Sequence, residues 1–350
     1  MSKEYIDSNQ NNQFSQLRGM DLQELIVQIQ NYLLEYRVSL NLPKDTKFGI
    51  GIGFSKINPE VVQSELKKKG LDWTIETAAY LSKERIIFSR ILNDTPKSWE
   101  EIQTISEYLN KKRAKPHPYH GCIIQVDTGI LGKDIDAWRR FCKLYTIYED
   151  ILFRFGYGEK INARKTILKD AQPLADFLYE DLGVINSKTE VLSLIYPLQS
   201  YHIENAINFK SINFYSDSFK AYYEDFYEEL ANVINFKSPN CTTDPIIIQN
   251  YINAYTKLVM AASKETIDED LLDFKLQTDR SSYKNQPYDY DLIKLQKALE
   301  FVDLVFDNNL DKIYFLRQYF KDFMETYQRE ISIKSKNFVR TLQPKKPTSQ

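Results

Sequence analysis

The sequence has few of the residues that build disulfide frameworks and transition-metal sites. Its 350 residues include 3 cysteines and 3 histidines. Cys122, Cys142 and Cys241 lie far apart in the chain and form no C-x-x-C pair, whereas zinc sites and disulfide frameworks draw on closely spaced ligands. We therefore expect three reduced thiols, as is typical of a cytoplasmic protein, and no metal site.

The sequence also lacks an excess of charge of either sign and any long apolar run. Its 46 Lys and Arg balance 48 Asp and Glu, for a net charge of −2, whereas a general nucleic-acid-binding domain has a basic excess. No stretch approaches the roughly 18 apolar residues of a membrane span, and residues 1–16 have no apolar centre of a signal peptide. We therefore expect a cytoplasmic protein with neither a membrane nor a nucleic acid as its partner.

Apolar residues make up 43% of the chain, and their spacing alternates between the periods of strands and helices. Period-two alternation predicts strands over residues 47–54, 71–77, 84–92, 121–127, 206–214 and 231–237. Helical spacing predicts helices over residues 21–37, 59–69, 97–113, 134–155, 163–182, 217–230, 245–262, 291–306 and 311–330. Because this order is not a strict βαβ alternation, we predict an α+β fold with a largely antiparallel sheet of about six strands.

Three of the predicted helices begin with an N-cap signal. Asp21 precedes the first apolar-periodic run. Ser98, with Glu101 three residues later, matches the S-x-x-E capping box. Asp244 stands directly before Pro245, which is the usual order of an N-cap and a proline at the first helical position.

Composition divides the chain into one main domain with flanking segments. Residues 1–18 are rich in Asn, Gln and Ser and are predicted to be disordered. Residues 19–265 form the main α+β domain, and residues 266–290 are charged and loop-like. The helices of residues 291–330 are expected to pack on the same domain, and residues 331–350 form a basic flexible tail.

Four collinear segments carry a resemblance to a known family. They are FGIGIGF at 48–54, IIFSRILND at 86–94, HGCIIQVDTGILG at 120–132 and NVINFKSPNCTTDPIIIQNYINAYTKL at 232–258. In order, they resemble the family blocks F-G-x-E-x-E-F, G-G-E-I-x-S-P-I-L, G-x-H-x-H-V, and I-E-F-R-x-x-N-G-T followed by D-P and a Q-N-x-x-N helix. On these blocks the chain is identified as a degenerate member of the amidoligase family.

The resemblance implies the fold of glutamine synthetase and glutamate–cysteine ligase. These carboxylate–amine ligases activate a carboxylate as an acyl-phosphate at the expense of ATP and let an amine attack it. Transfer of the phosphoryl group requires metal ions held by carboxylates, and histidines and arginines that stabilise developing charge. An E-x-E strand directs both carboxylates to one face of a sheet.

At the family's site positions this sequence carries other residue types. The positions of the glutamates, histidines and arginine are occupied by Gly51, Gly53, Ile86, Ile123, Gln125, Asn235 and Lys237. The apolar residues that alternate with them in the same segments are kept. The resemblance therefore implies that the fold is retained and that these seven residues mark a vestigial site.

Four polar residues near the blocks are candidates for retained ligand contacts: Glu84, Asp127, Arg164 and Asn240. Glu84 takes the place of the second block's glutamate if the alignment shifts by two residues, but one carboxylate does not make a two-metal site. Arg164 matches a family arginine and either holds a phosphate or carboxylate or is a solvent-exposed helical residue. Asn240 is expected to shape a turn.

Two patterns that are compatible with ligand binding have a structural interpretation that we prefer. FGIGIGF lacks the third glycine and the following helix of a nucleotide-binding G-x-G-x-x-G, so we interpret it as a strand with one bare face. His117 and His120 have no third ligand placed by the sequence, so we interpret them as loop residues.

Three hypotheses of function remain. The first is a catalytically inactive pseudoenzyme that needs no cofactor and acts as a binding or regulatory partner of another protein, for example an active homologue. The second is an active ATP- and Mg²⁺-dependent ligase with a relocated site that uses Glu76, Glu84, Asp127 and Arg164. The third, a nucleic-acid-associated protein that uses the basic tail 334–350, predicts binding that weakens steeply with salt.

Overall fold

A computed structural model describes residues 22–77, 85–116, 121–156, 171–175, 182–189, 191, 193–195, 207–208, 232–278 and 292–320. The helices within these ranges are α1 (Leu22–Gln30), α2 (Pro59–Lys68), α3 (Pro96–Lys111), α4 (Ile135–Gly156), α5 (Leu182–Ser187), α6 (Pro245–Ala262), α7 (Glu269–Thr278), α8 (Leu292–Val305) and α9 (Asn309–Tyr319). The strands are β1 (Lys47–Ser55), β2 (Trp73–Thr77), β3 (Arg85–Ser89), β4 (Leu92–Asn93), β5 (Lys115–Pro116), β6 (Ile123–Asp127), β7 (Ile207–Asn208) and β8 (Val233–Phe236).

Across the described ranges, the strands form one eight-stranded sheet. Its order is β2-β3-β1-β6-β8-β7, and β4 and β5 also pair with β1. Every pairing is antiparallel. The predicted α+β class and its antiparallel sheet of about six strands are therefore confirmed. Each of the six predicted strand segments contains one of these strands.

One face of the sheet is buried in the core, because alternate residues of the central strands are apolar. These residues are Phe48, Ile50, Ile52, Phe54, Cys122, Ile124, Val126, Ile234 and Phe236, and none is more than 1% exposed. Helices α4 and α6 cover this face, where the Tyr255 ring stacks on Phe236 with 4.4 Å between centroids. Fully burying one such side chain contributes about 1.5–3 kcal/mol.

Helix α4 is the centre of the helical layer. It spans 22 residues, of which 18 are buried, and it packs against α6, α7, α8 and α9. Its buried charges have partners on other helices. Lys143 Nζ lies 2.7 Å from Asp273 Oδ1, and Lys297 Nζ lies 3.1 Å from Asp150 Oδ1. These pairings are required because an unpaired buried charge is strongly destabilising.

A further buried acid on α4 holds a separate segment of the chain. The carboxylate of Glu149 is 0% exposed. It accepts hydrogen bonds from the backbone N–H groups of Leu174 (2.7 Å) and Ala175 (2.8 Å). Two N–H donors stabilise a buried carboxylate, and the pair fixes residues 171–175 to the middle of α4.

The Asp94 side chain ties the segment after α1 to the start of α3. Its carboxylate accepts hydrogen bonds from the backbone N–H groups of Leu40 (2.9 Å) and Leu42 (2.8 Å) and from Ser39 Oγ (2.9 Å). It also accepts one from Trp99 Nε1 at 2.6 Å. A single carboxylate therefore accepts hydrogen bonds from two backbone N–H groups, one hydroxyl group and one indole N–H group.

Helix α1 ends at Gln30, so the predicted helix over residues 21–37 is too long. Asn31 N and Tyr32 N still donate to the preceding helical turn, whereas residues 35–37 bond to distant parts of the chain. These hydrogen bonds run from Glu35 N to Tyr314 Oη (2.9 Å), from Tyr36 Oη to Trp99 O (2.6 Å) and from Arg37 N to Gln249 Oε1 (2.8 Å). Tertiary contacts thus override the apolar periodicity of the segment.

The predicted loop over residues 266–290 is wrong for its first half, which contains helix α7. Leu272 and Leu276 are four residues apart and are both buried. The acidic residues of this helix meet cations of α4: Glu269 Oε1 lies 3.1 Å from Arg140 Nη1, and Asp273 Oδ1 lies 2.7 Å from Lys143 Nζ. The charged composition therefore reflects ion pairing across a helix interface and not a solvated loop.

The N-cap predicted at Ser98 is also wrong. Thr95 is the N-cap of α3, and its Oγ1 accepts a hydrogen bond from Ser98 N at 3.3 Å. Glu101 does not close a capping box with Ser98, because its carboxylate is paired with Arg90 at 2.9 Å. The proline at the first helical position shifts the start of the helix towards the N-terminus.

The N-cap predicted at Asp244 is confirmed. Its Oδ1 accepts hydrogen bonds from Ile246 N (2.9 Å) and Ile247 N (3.4 Å), and Pro245 takes the first helical position. Helix α4 likewise coincides with its predicted range.

Several predictions concern residues outside the described ranges: Asp21, the helix over 217–230, most of the helix over 163–182 and of the strand over 206–214, and the tails 1–18 and 331–350. None of the helices in the described ranges is both long enough and apolar enough to cross a bilayer.

Candidate functional site

Six of the seven positions that the family resemblance marks as a former site lie together on the sheet face opposite the core. Cross-strand partners in an antiparallel sheet project to the same side, and the register joins Gly51 to Ile123 and Gly53 to Ile86. It also joins Gln125 to Asn235. We call this surface the second face and define it by Gly49, Gly51, Gly53, Ile86, Phe88, Ile123, Gln125 and Asn235.

The middle of the second face is filled by an aromatic ring. Phe88 of β3 is the cross-strand partner of Gly51. A Cβ added to Gly51 would stand 2.6 Å from Phe88 Cε1 and 2.9 Å from Cδ1, which is closer than real Cβ contacts come. The Phe88 ring therefore fills the volume that a side chain at position 51 would need, and the strand has no open groove at Gly51.

A pair of amide side chains lies beside the ring. Gln125 Nε2 donates a hydrogen bond to Asn235 Oδ1 at 2.9 Å, across β6 and β8. A Cβ at Gly49 would stand 2.6 Å from Gln125 Oε1. The glycine on β1 thus makes room for the Gln125 side chain to lie flat on the strand and reach its partner.

The eight residues that define the second face are uncharged, and the carboxylates of Glu76 and Asp127 lie at its margins. Ile86, Phe88 and Ile123 supply apolar surface, and the amides of Gln125 and Asn235 supply donors and acceptors. Ile86 and Asn235 are each 9% exposed, and the other side chains of the set are half-buried. Such a surface can take apolar groups and neutral hydrogen-bonding groups, and it offers no compensation for phosphate or metal charge.

Two carboxylates stand near the second face but not together. Asp127, at the end of β6, accepts a hydrogen bond from Gly129 N at 3.0 Å and so caps the short 3₁₀ turn Thr128–Ile130. Glu76 is exposed on β2, opposite Ile86. The strand order β2-β3-β1-β6 separates the strands of Glu76 and Asp127 by three interstrand spacings, or about 14 Å.

The described residues do not fit a magnesium–ATP complex. Hard divalent cations are held by several convergent oxygens, and the two nearby carboxylates are too far apart to share one ion. Among the residues that the structure describes, no group of three or more His, Cys, Asp and Glu side chains is placed to hold a metal.

The seventh of these positions, Lys237, lies just past the end of β8, where the chain passes close to Gly121. A Cβ at Gly121 would stand 2.1 Å from Pro239 O and 2.7 Å from Lys237 O. Asn240 then forms a β-bridge with Gly121 and donates its backbone N–H to Gly156 O at 2.7 Å. The backbone of Asn240 thus fixes the turn that leads into α6.

Four other residues that the sequence analysis considered are not placed by the described ranges: Glu84, Arg164, His117 and His120. Whether Glu84 and Arg164 approach the second face stays a prediction.

A separate cleft of about 320 Å³ lies between α4, α7 and α8, and its lining includes Tyr148, Lys275, Gln296, Lys297 and Glu300. Its charges are matched internally, because Lys275 pairs with Glu300 and Lys297 pairs with the buried Asp150. The cleft therefore presents no excess charge to a ligand.

Sequence reasoning missed Gly49 and Phe88 as members of the site. Gly49 was detectable, because it is the first of three alternating glycines in KFGIGIGF. The role of Phe88 was not, since only the β1–β3 register places its ring on Gly51.

Neither a protein-family model nor a curated protein matches the chain.

Proposed function

We propose that the protein is an amidoligase-like pseudoenzyme that acts by binding a protein partner through the second face. The observation that carries this proposal is the shared location of the replaced residues. Positions from four separate strands converge on one surface, where the Phe88 ring packs on Gly51 and Gln125 is hydrogen-bonded to Asn235.

The packing around Gly51 supports the proposed loss of catalysis more strongly than the absence of a glutamate from the sequence does. A carboxylate at position 51 requires a Cβ, and that Cβ has no room while Phe88 holds its place. Gln125 Nε2 donates to Asn235 Oδ1, so one donor and one acceptor of the pair are already engaged with each other. The packing of Phe88 on Gly51 and the Gln125–Asn235 hydrogen bond both depend on the residues that are now present.

The composition of the second face supports protein binding. The cores of protein interfaces are depleted in charge and enriched in aromatic and apolar side chains that surround a few hydrogen-bonding groups. Phe88, Ile123 and the Gln125–Asn235 pair have this composition. By the family resemblance, the first partner to test is an active amidoligase encoded in the same genome.

The first experiment tests the absence of nucleotide chemistry. Isothermal titration of the full chain with ATP and Mg²⁺ should give no binding heat, and incubation with candidate acids and amines should release no ADP. An active member of the family, titrated in parallel, serves as the positive control. Micromolar binding that requires Mg²⁺, or substrate-dependent ADP release, would contradict the proposal.

The second experiment tests the surface. Ile123→Lys places a charge in the middle of the second face, and Val61→Lys places the same charge on α2, where Val61 is 48% exposed. We expect the affinity for the amidoligase partner to fall at least tenfold in Ile123→Lys and to be unchanged in Val61→Lys, with both variants folded by circular dichroism. Equal affinities in the two variants would rule out the second face as the binding surface.

A further inference from the structure

Exposed cations gather at the point where β1 ends and β5 pairs with it. Ser55, the last residue of β1, is the Cα partner of Lys115 in β5, and Ser55 Oγ donates a hydrogen bond to Lys115 O at 3.3 Å. Lys56 directly follows Ser55, and the end of α3 leads into β5. We call this surface the basic cluster and define it by five exposed residues: Lys56, Lys111, Lys112, Arg113 and Lys115.

The charges of the basic cluster are not neutralised by neighbouring acids. Within the described ranges none of its five residues belongs to an ion pair. Glu107, one helical turn before Lys111, accepts a hydrogen bond from Gln103 Nε2 at 2.8 Å. Lys112 Nζ lies 5.9 Å from the centre of the uncharged Tyr108 ring. Five positive charges are therefore exposed close together on a chain whose net charge is −2.

Two of the five cations occupy backbone conformations that favour glycine. Lys56 has a φ of 68° and Arg113 a φ of 57°, and both angles lie in the left-handed region, where a side chain is strained. Arg113 also follows Lys112, the C-cap of α3, at the position where helices usually carry glycine. The backbone at residues 56 and 113 thus does not require a cation. Strain of this kind is found at functional sites.

The basic cluster adjoins the second face. Ser55 follows Gly51 and Gly53 at even spacing along β1, so the three residues project to the same side of the sheet. Lys115, as the cross-strand partner of Ser55, stands on that side too. Protein interfaces commonly have an uncharged centre and a charged rim, and rim charges steer association. The position of the cluster therefore favours an anionic group carried by a protein.

The rest of the molecule disfavours a long polyanion or a bilayer as the partner. The cluster contributes +5 to a net charge of −2, so the remainder of the chain carries −7. A nucleic acid that extended past the cluster would meet this negative charge, whereas a short run of Asp and Glu would not. Ala114, the apolar residue among the cations of residues 111–115, is buried and is not available for insertion into a bilayer.

We propose that the basic cluster binds an acidic segment of a partner protein, a short run of Asp and Glu residues. The carboxylates of the segment pair with the lysine ammonium groups and with the Arg113 guanidinium. Each exposed ion pair contributes little by itself, so the affinity depends on several pairs at once and is weakened by salt. This inference goes beyond the proposed function and does not require that the partner be an amidoligase.

The test uses the full chain and a fluorescein-labelled oligoglutamate as the probe. Fluorescence anisotropy should show binding at low ionic strength that weakens as potassium chloride is added. In Lys111→Gln/Lys112→Gln the affinity should fall roughly tenfold, because two of the five charges are lost. The matched control is Lys44→Gln/Lys133→Gln. It removes two exposed lysines, one before β1 and one after β6, at the opposite end of the sheet, and it should bind as the unaltered protein does.

Substitution by glycine separates binding from folding. Lys56→Gly/Arg113→Gly should weaken oligoglutamate binding to a similar extent, while the melting temperature stays the same or rises, because glycine relieves the strain at positive φ. A merely structural role of the two side chains predicts a lower melting temperature instead. Arg113→Lys keeps the charge and should keep the affinity.

Three results would overturn the proposal. The first is an absence of oligoglutamate binding at low ionic strength, and the second is an equal loss of affinity in Lys44→Gln/Lys133→Gln. The third is tighter binding of a DNA duplex of equal charge, or of phosphatidylserine vesicles, because either would assign the cluster to another class of partner. The probe has no apolar group, so its result is independent of the experiment with Ile123→Lys.

Discussion

The Phe88 ring lies so close to Gly51 that a Cβ on Gly51 would stand 2.6 Å from ring atom Cε1. The two residues are cross-strand partners in β1 and β3, so the strand pairing holds their backbones opposite each other. Glycine at this position is a packing requirement of the neighbouring strand. It is also the position where the family resemblance places the first glutamate of the E-x-E strand.

Gly51→Ala should lower the free energy of unfolding by about 1–3 kcal/mol, because the added methyl group overpacks a filled site. In a Phe88→Ala background the same substitution should cost less, since the ring that it strikes is gone. Urea denaturation of the four proteins of this double-mutant cycle measures the coupling. An equal cost of Gly51→Ala in both backgrounds would show that the Phe88 contact is not the cause.

Asp94→Asn should destabilise the protein by about 2–3 kcal/mol. The amide keeps the size of the side chain but loses one acceptor oxygen and the charge that strengthen its bonds to Leu40, Leu42 and Trp99. The measurement is the urea midpoint at constant m-value. Asp72→Asn, at an exposed position, is the matched control and should change the midpoint little. A similar shift in both variants would point to a general charge effect.

Glu149→Gln should cost about 2 kcal/mol or more, because one of its two backbone donors, Leu174 N or Ala175 N, would then face an amide N–H₂ group in the core. Limited proteolysis near residues 171–175 should become faster than in the unaltered protein. The exposed Glu265 gives the control variant Glu265→Gln. Unchanged proteolysis in Glu149→Gln would mean that another contact holds this segment.

Cys142 should make folding stability fall at alkaline pH. Burial raises the pKa of its thiol from the ordinary 9.0 to about 12, so the contribution is complete below pH 9 and is lost as the pH rises towards 12. In this window the unfolded state ionises first, and the free energy of unfolding should fall by about 1.4 kcal/mol per pH unit from this group. Cys142→Ala, measured by urea denaturation under reducing conditions, should show a shallower decline. Identical slopes would exclude Cys142 as a source.

The sheet was predictable because its signal is local. Apolar alternation in segments such as residues 47–54 and 121–127 indicates both the strand and the side that it buries. The errors arose where distant contacts decide the structure. The helix after residue 30 is replaced by hydrogen bonds to α3, α6 and α9, and the charges of α7 are explained only by the cations of α4.

The same division holds for the candidate site. Sequence blocks located Gly51, Ile123, Gln125 and Asn235, and the strand register brings them to one face. No local pattern predicts that Phe88 fills the space at Gly51, or that Gln125 and Asn235 bond to each other. Both contacts depend on which residues the pairing of separate strands sets opposite one another.

Helix α4 sets a condition on how the chain can fold. Asp150 and Lys143 lie in its buried centre, and their partners Lys297 and Asp273 belong to helices much later in the chain. During synthesis α4 leaves the ribosome long before Asp273 and Lys297 have been made. Packing α4 on the sheet would bury Lys143 and Asp150 without their partners, which is unfavourable until α7 and α8 are present. Sheet and closing helices should therefore unfold in one cooperative transition, and a fragment that stops before residue 292 should not reach the native state.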